Sequence, residues 1–290
     1  MTIWFSTNIP EMRAISTFNR VSTDISEIQQ RITTGQRINS GRDDPGGLIL
    51  REGLRADIKG IHGLQAGMMQ AENLTNIASD GMMQLLNLLV GADTTNPSET
   101  SLIGALNSTM SNADVGAFAT NVMNLYNSTV NTNRYNNESL LAGTTKTYRL
   151  GGNDGATPTP NPYTLTVAIP NLSTAGGGEA NALINAVHAH ASAPTDTTRA
   201  AILAAAETLQ TSIAGHLGTL GGNQSIVAMN QRLLDSRLTS TVSAEGRISN
   251  ADIAVESSRM ARSELLAQNA MNSIMYTRNY AAFSVRSLFG

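Results

Sequence analysis

Residues 253–290 read IAVESSRMARSELLAQNAMNSIMYTRNYAAFSVRSLFG, a stretch without proline in which one position recurs every seven residues. The recurring residues are Ile253, Met260, Ala267, Ile274, Ala281 and Leu288. Because an α-helix turns once in about 3.6 residues, a strict seven-residue repeat keeps one row of side chains against a partner helix in a left-handed coiled coil. Two of these six residues are alanine, and so thin an apolar row stabilises an isolated helix poorly. The stretch is therefore predicted to be a helix that needs a partner.

A second row of this kind lies near the amino end. Its members, separated by steps of three and four residues, are Phe18, Val21, Ile25, Ile28 and Ile32. Four charged residues of both signs, Arg20, Asp24, Glu27 and Arg31, follow the same spacing one position earlier. Such a flank is either a solvated face, worth a few tenths of a kcal/mol per pair, or a device for choosing partners. Because each end of the chain has a helix without enough core of its own, the two helices are predicted to pair.

A polar turn, GQRINSGRDD, spans residues 35–44 after the first helix. Asp44 is well suited to cap the next helix, and Pro45 suits its first position, where a missing N–H does no harm. The adjacent Asp43 and Asp44 would also suit a metal or acid–base site. A helix start directly behind them favours capping and neutralisation of the helix dipole.

The rest of the chain is predicted to be mostly helical. Residues 48–91 follow a helical period, and residues 102–135 form another helix. Residues 180–217 form an alanine-rich helical stretch that Pro194 interrupts, and Gly221-Gly222 precedes the final helices. The sequence Ser249-Asn-Ala-Asp252 is typical of a helix cap and predicts that two helices meet there.

Glycines and β-branched residues mark two further features. The first long helix contains Gly53, Gly60, Gly63, Gly67 and Gly81. Each glycine costs a helix about 1 kcal/mol relative to alanine, so these positions indicate close approach of neighbouring backbones. Alternating residues at 148–150 and 163–167 predict a β-hairpin with a long loop over about residues 148–169. The predicted fold is mainly α: a long antiparallel helical coiled coil or bundle built from both chain ends, with a small β-hairpin region.

Composition narrows the class of protein. Charged residues make up 14% of the chain, against roughly 25% in ordinary soluble proteins, which favours a subunit with little permanently free surface. The net charge of −3 and the scattered basic residues give no footprint for nucleic acid. The absence of cysteine excludes a disulfide scaffold and a thiolate metal site. No signal peptide and no membrane-spanning stretch is expected, which fits a cytosolic protein or one exported without a leader.

The sequence contains no known catalytic motif. A P-loop, a Gly-x-Ser-x-Gly elbow and a His-Glu-x-x-His zinc helix are all missing. His188 and His190 are two residues apart, which places them on different faces of a helix and makes them a poor metal pair. No enzyme activity, catalytic residue, metal site or cofactor is therefore expected.

Three stretches of the chain resemble bacterial flagellin. Residues 31–47, RITTGQRINSGRDDPGG, are similar to the amino-terminal signature of that family. This stretch contains Gly35, Arg37, Ile38, Asn39, Ser40, Asp43 and Asp44. Residues 135–143, YNNESLLAG, resemble the family segment that enters the β-hairpin, and residues 249–268 resemble the start of its carboxy-terminal helix. The resemblance spans roughly residues 1–92 and 135–290.

The resemblance implies a structural subunit of the flagellar filament. Residues 1–44 and 251–290 would form its terminal coiled-coil core domain, and residues 45–250 its helical rod domain. The two heptad rows would form a polymerisation seam: Val21, Ile25, Ile28, Ile32, Ile253, Met260, Ala267, Ile274, Ala281 and Leu288. The implied partners are identical subunits in a helical homopolymer, an export chaperone, a cap protein and hook-junction proteins, with no nucleic acid and no membrane insertion. The implied location is the extracellular flagellum, after type III export without a cleaved signal.

Two other functions fit parts of the sequence. Pro45 stands where flagellins usually have alanine, and proline there is more typical of the related hook–filament junction protein. A secreted helical scaffold or adhesin would explain the helices, but it gives no reason for two thin apolar rows at opposite ends of the chain.

Overall fold

The computed structural model describes residues 9–91, 101–151 and 164–289, with side chains through residue 279. Within these ranges the chain forms α1 (Ile9–Thr34), α2 (Pro45–Val90), α3 (Leu102–Leu106), α4 (Asn112–Thr132), β1 (Arg134–Tyr135), β2 (Glu138–Ser139), β3 (Ala142–Arg149), β4 (Thr164–Asn171), α5 (Asn181–Ser192), α6 (Asp196–Ser249) and α7 (Ile253–Phe289). The mainly α fold with long helices from both chain ends is confirmed. Among the described residues, none of the helices combines the length and the apolar character needed to cross a bilayer.

The chain divides into two compact units. The terminal unit comprises Met1–Lys59 and Leu238–Gly290, and the central unit comprises Gly60–Arg237. Helices α2 and α6 therefore contribute residues to both units. The division into a filament core (1–44 and 251–290) and a rod (45–250) concerns roles in an assembly and stays a prediction.

In the central unit, α2 and α6 run antiparallel and are linked by amide side chains. Gln65 donates to Asp235 at 2.7 Å, and Gln231 donates to Glu72 at 2.8 Å. Beneath these links, α6 buries a row with seven-residue spacing: Ala206, Ile213, Leu220, Val227 and Leu234. The row passes directly through Gly221-Gly222, so the predicted boundary there is wrong. Burial of the row offsets the roughly 1 kcal/mol that each glycine costs the helix.

A buried tyrosine ties α4 to the end of β4. The Tyr126 side chain is fully buried, and its hydroxyl donates to the Leu172 carbonyl at 3.0 Å. Burial raises the pKa of this phenol, so it stays a neutral donor at physiological pH. The other buried residues of α4 are apolar, as expected around a tyrosine whose polar atom has found a partner.

The single helix predicted over residues 102–135 is wrong, because the chain breaks between α3 and α4. Ser111 caps α4 by accepting a hydrogen bond from the Asp114 amide at 3.3 Å. From α6, the Arg199 guanidinium donates to four carbonyls around the break, those of Ala105, Leu106, Ser108 and Met110, at 2.6–3.3 Å. This arginine satisfies backbone acceptors that a continuous helix would have paired internally.

The predicted β-hairpin is confirmed as the antiparallel pair β3–β4, although both strands extend beyond residues 148–169. The connecting residues 152–163, including the predicted strand residue Tyr163, lie outside the described residues. A smaller pair, β1–β2, was missed by sequence reasoning. It turns through Asn136 and Asn137, whose φ values of 50° and 65° fit a two-residue hairpin turn.

A close neighbour explains only one of the five glycines in α2, and that neighbour is a side chain rather than a backbone. A Cβ at Gly81 would lie 2.2 Å from the Asn133 side-chain nitrogen, so a larger residue would displace Asn133. At the other four positions no heavy atom lies within 4 Å of such a Cβ: Gly53, Gly60, Gly63 and Gly67. The expectation of close neighbours is wrong for these four within the chain.

We expect a chain lacking residues 1–38 and 253–290 to remain a folded, helical and soluble monomer. The buried residues of the central unit all lie between Gly60 and Arg237, so the deletion removes none of them. Circular dichroism would report the helix content and sedimentation velocity the size. An unfolded remainder would show that the central core depends on the chain ends.

Candidate functional site

Helices α1 and α7 form an antiparallel pair within the terminal unit. Arg31 near the end of α1 lies 3.9 Å from Glu256 in the first turn of α7. At the other end, Glu11 in the first turn of α1 lies 3.8 Å from Arg278. The predicted pairing of the two chain ends is therefore present in a single chain.

The row predicted on α1 forms the inner face of this helix. Val21 and Ile28 are buried, while Phe18, Ile25 and Ile32 are half-buried. The more exposed positions on α1 are mostly polar, as expected for an amphipathic helix with one apolar stripe.

On α7 the predicted row is only partly covered. Met260, Ala267 and Ile274 are half-buried, whereas Ile253 at the helix start is 45% exposed. The side chains of Ala281 and Leu288 lie outside the described part of the structure. A role of these residues in contacts between subunits stays a prediction.

Sequence reasoning missed a second inward row on α7. Its members recur every seven residues, three positions after the first row: Glu256, Ser263, Ala270 and Thr277. Glu256 and Ala270 are buried, with 5% and 7% exposure. A search for apolar periodicity overlooks this row because its members are small or polar. A heptad coiled coil has two inward positions in each repeat, so the first row should have prompted a search for a second row three or four residues away.

The turn at residues 35–44 joins this helix pair to the end of α6. Gly35 has a φ of 67°, the left-handed conformation that commonly ends a helix, and its carbonyl accepts from the Ala251 amide at 2.9 Å. The Arg37 amide donates to the Ser249 carbonyl at 2.6 Å. These bonds flank an antiparallel bridge between Gln36 and Asn250, so the α1 end and the α6–α7 link are held together by backbone.

Two arginines reinforce the turn. The Arg37 guanidinium donates to the Ile248 carbonyl at 3.1 and 3.3 Å and lies 3.7 Å from Asp44. Buried Arg51 donates to the Ile38 carbonyl at 2.5 Å and pairs with Glu52 at 2.9 Å. A buried guanidinium is tolerated here because its N–H groups have acceptors.

Both aspartates of the signature accept hydrogen bonds from backbone amides in or next to the turn. One oxygen of Asp43 accepts from the Asn39 amide at 3.0 Å and the Ser40 amide at 2.8 Å. The other lies 3.9 Å from Arg31. Asp44 accepts from the Gly47 amide at 2.9 Å, which confirms it as the cap of α2 with Pro45 as the first helical residue.

Electrostatics and sterics fix this turn further. Hydrogen bonds from Ser40 and Asn39, with the charge of Arg31, hold the pKa of Asp43 below its usual range. A Cβ at Gly47 would lie 2.3 Å from an Asp44 carboxylate oxygen and 2.7 Å from Ile38, so a side chain there would displace the capping carboxylate. No group of three or more potential metal ligands occurs among the described residues. The two histidines of α5 lie on different faces of the helix: His188 is exposed and His190 is buried.

The outer surface of the helix pair exposes large apolar side chains. On α7 they include Val255, Leu265, Leu266, Met271, Met275 and Tyr276. Leu265 is 60% exposed and Tyr276 is 77% exposed, and Met12 of α1 is 59% exposed. So many large exposed apolar side chains on one helix indicate an interaction surface.

Comparison with known proteins identifies the class. Residues 5–146 match the family model described as the bacterial flagellin N-terminal helical region. This range contains the whole signature turn together with α1 to α4. Through this region the chain belongs to the bacterial flagellins.

One curated relative is the B-type flagellin of Pseudomonas aeruginosa (strain PAO1). The two sequences are 32% identical over 89 residues, which is 31% of this chain and 18% of the relative. The chain thus spans less than a fifth of the length of this relative.

We expect Asp43→Asn to lower the free energy of unfolding by about 1–2 kcal/mol at pH 7, because hydrogen bonds to a charged acceptor are lost. The folded-state pKa of Asp43 is lowered, so its contribution is present above the unfolded value of about 3.9 and disappears as the pH falls through the folded value. Urea unfolding of the full chain at pH 7 and pH 3 would measure this difference.

The matched control is Asp57→Asn, which changes an exposed aspartate on α2. It should leave the stability at both pH values within a few tenths of a kcal/mol of the original chain. An equal effect of the two substitutions, or an Asp43 effect that persists at pH 3, would contradict the assignment.

Proposed function

We propose that this chain is a structural subunit that assembles with identical copies into the bacterial flagellar filament, the helical propeller of motility. Membership of the flagellins supports this proposal. The observation that carries it is the apolar surface that α1 and α7 leave uncovered in a single chain.

The energetics of the helix pair explain why assembly is needed. Ordering a residue costs roughly 1–2 kcal/mol of backbone entropy. Burial returns about 25 cal/mol per Å2 of apolar surface, and most residues on the α7 face of the pair are polar or alanine. The pair is therefore marginal in a lone subunit. In a filament, neighbours cover Leu265, Tyr276 and the other exposed side chains, and folding of the terminal helices is completed on binding.

The form of the assembly follows from its interface. A filament requires a head-to-tail contact between two different surfaces of the subunit, because such a contact repeats without closing. The terminal helices supply one such surface, and the long α2 and α6 helices provide length along the filament. In this proposal the seam residues predicted from sequence belong to the inner core of the polymer.

The proposed route to the filament requires other proteins. The subunit is exported without a cleaved signal through the flagellar type III apparatus, bound by a chaperone at its carboxy-terminal helix. It is then added beneath a cap protein, on a base of hook-junction proteins, and has no enzymatic role.

A second candidate function is that of the hook–filament junction protein. Pro45 at the first position of α2 is the observation that favours it. Negative-stain imaging of the purified chain under assembly conditions separates the two, because a filament subunit forms long tubes and a junction protein does not. A compact particle that never associates would instead support a monomeric scaffold.

We expect Ala267→Glu to block assembly, because it places an unpaired carboxylate in the half-buried seam of α7. The critical concentration should rise at least about tenfold, corresponding to 1.4 kcal/mol or more. Sedimentation of polymer from soluble subunit at a series of concentrations gives this value.

Gln268→Glu is the matched control, since it adds the same charge at the adjacent, exposed position of the same helix. This variant should assemble within about twofold of the original chain. Normal filaments from Ala267→Glu would count against a seam role for α7.

A further inference from the structure

We propose that Glu256 fixes the orientation and register of α7 on α1 by pairing with Arg31, an inference that rests on the proposed assembly. Among the residues whose side chains the structure describes, Glu256 is the one buried carboxylate. It lies in the seam itself, on the second inward row of α7, rather than on the solvated flank.

The partners of Glu256 come from both helices. One carboxylate oxygen accepts from Arg259 of its own helix at 2.9 Å. The other has no hydrogen-bond partner, and Arg31 lies 3.9 Å from it across the seam. A buried charge of this kind adds little net stability, but removing or mismatching its partner is costly, so it discriminates strongly among alternative pairings.

The residues around Arg31 penalise a shifted register. Asp24 lies one heptad before Arg31 on the same side of α1. Sliding α7 by seven residues in one direction would bring Glu256 opposite Asp24, a carboxylate facing a carboxylate. Sliding it the other way would bring Glu256 against Ile38, which is 1% exposed in the turn. Either shift leaves the buried carboxylate without a cation across the seam.

The distribution of charge also selects the antiparallel arrangement. Glu11 and Glu256 both lie in the first turns of their helices, and Arg31 and Arg278 lie toward the opposite ends. In the antiparallel pair each glutamate meets an arginine, at 3.8 and 3.9 Å. A parallel pair would place acidic end on acidic end and basic on basic. A thin seam rich in alanine needs such a rule, because apolar packing alone distinguishes its registers poorly.

In a filament the Arg31–Glu256 pair would also discriminate between helices of different chains. The bridge between Gln36 and Asn250 already limits how α7 lies on the α1 of its own chain. It places no limit on the α1 helices of neighbouring copies, which become available at high local concentration. The Arg31–Glu256 pair supplies a match that does not depend on the chain connection.

Charge reversal tests the proposal. We expect Glu256→Arg to raise the critical concentration for assembly at least about tenfold, and Arg31→Glu to do the same. The double variant Arg31→Glu/Glu256→Arg should assemble better than either single variant, since the pair is restored with its signs exchanged, but short of the original chain, because the exchanged charges also face Asp43 and Arg259. Glu264→Arg makes the same charge change at an exposed position of α7 and should leave assembly unchanged.

Cross-linking reads the register directly, and the chain contains no cysteine of its own. The two ion pairs imply that Val21 faces Ala267, so Val21→Cys/Ala267→Cys should form a disulfide, and Val21→Cys/Ile274→Cys, one heptad away, should not. Adding Glu256→Arg should reduce the first disulfide at least about fivefold, and the charge-exchanged pair should recover part of that loss.

Two results would overturn the proposal: Glu256→Arg that assembles and cross-links like the original chain, or a charge-exchanged pair that rescues neither property. Failure of the original chain to form filaments would instead contradict the proposed function. The cross-linking result in the soluble chain would then decide the register proposal by itself.

Discussion

The packing of α1 against α7 is the interaction on which the terminal unit depends, and its weakness is its defining property. One face, built from Val21, Ile28 and their neighbours, is apolar, while the facing side of α7 is thin and partly polar. A richer seam would make the pair self-sufficient and leave little reason to associate. The sequence instead keeps large apolar residues such as Leu265 and Tyr276 on the outside. In the proposed filament, part of the stability of the terminal helices thus comes from contacts with other copies.

The junction at residues 35–44 complements this weakness by being strongly specified. Within ten residues it combines a left-handed glycine, a backbone bridge to the α6–α7 link and a capping aspartate. The polar side chains of the turn have partners, and a side chain at Gly47 would displace the Asp44 cap. If the terminal helices fold on assembly as proposed, a well-fixed joint at the base of the pair gives them a defined starting geometry.

Long, periodic elements were readable from the sequence, and long-range polar contacts were not. The rows around Val21 and Met260, the cap at Asp44 and the hairpin near Tyr148 follow from local spacing and local turn chemistry. The α3–α4 break depends on Arg199, which is about ninety residues from the carbonyls it binds. No local sequence pattern therefore predicts the break. The helix boundary predicted at Gly221-Gly222 was wrong because the buried row running through α6 outweighs the local preference of glycine against helix. Glu256 was overlooked because a carboxylate in a seam resembles a surface residue.

The four carbonyls gathered by Arg199 also set how this part of the chain tolerates change. A lysine at this position would keep the charge, but its donors sit on a single nitrogen and cannot reach acceptors spread around a turn. The neighbouring α3 segment is only five residues long and has no other cation bound to its last carbonyls in the described structure. Replacing Arg199 by lysine, which is conservative at most surface positions, would therefore remove most of these hydrogen bonds. One side chain far away in the sequence thus limits which changes the α3 segment tolerates during evolution.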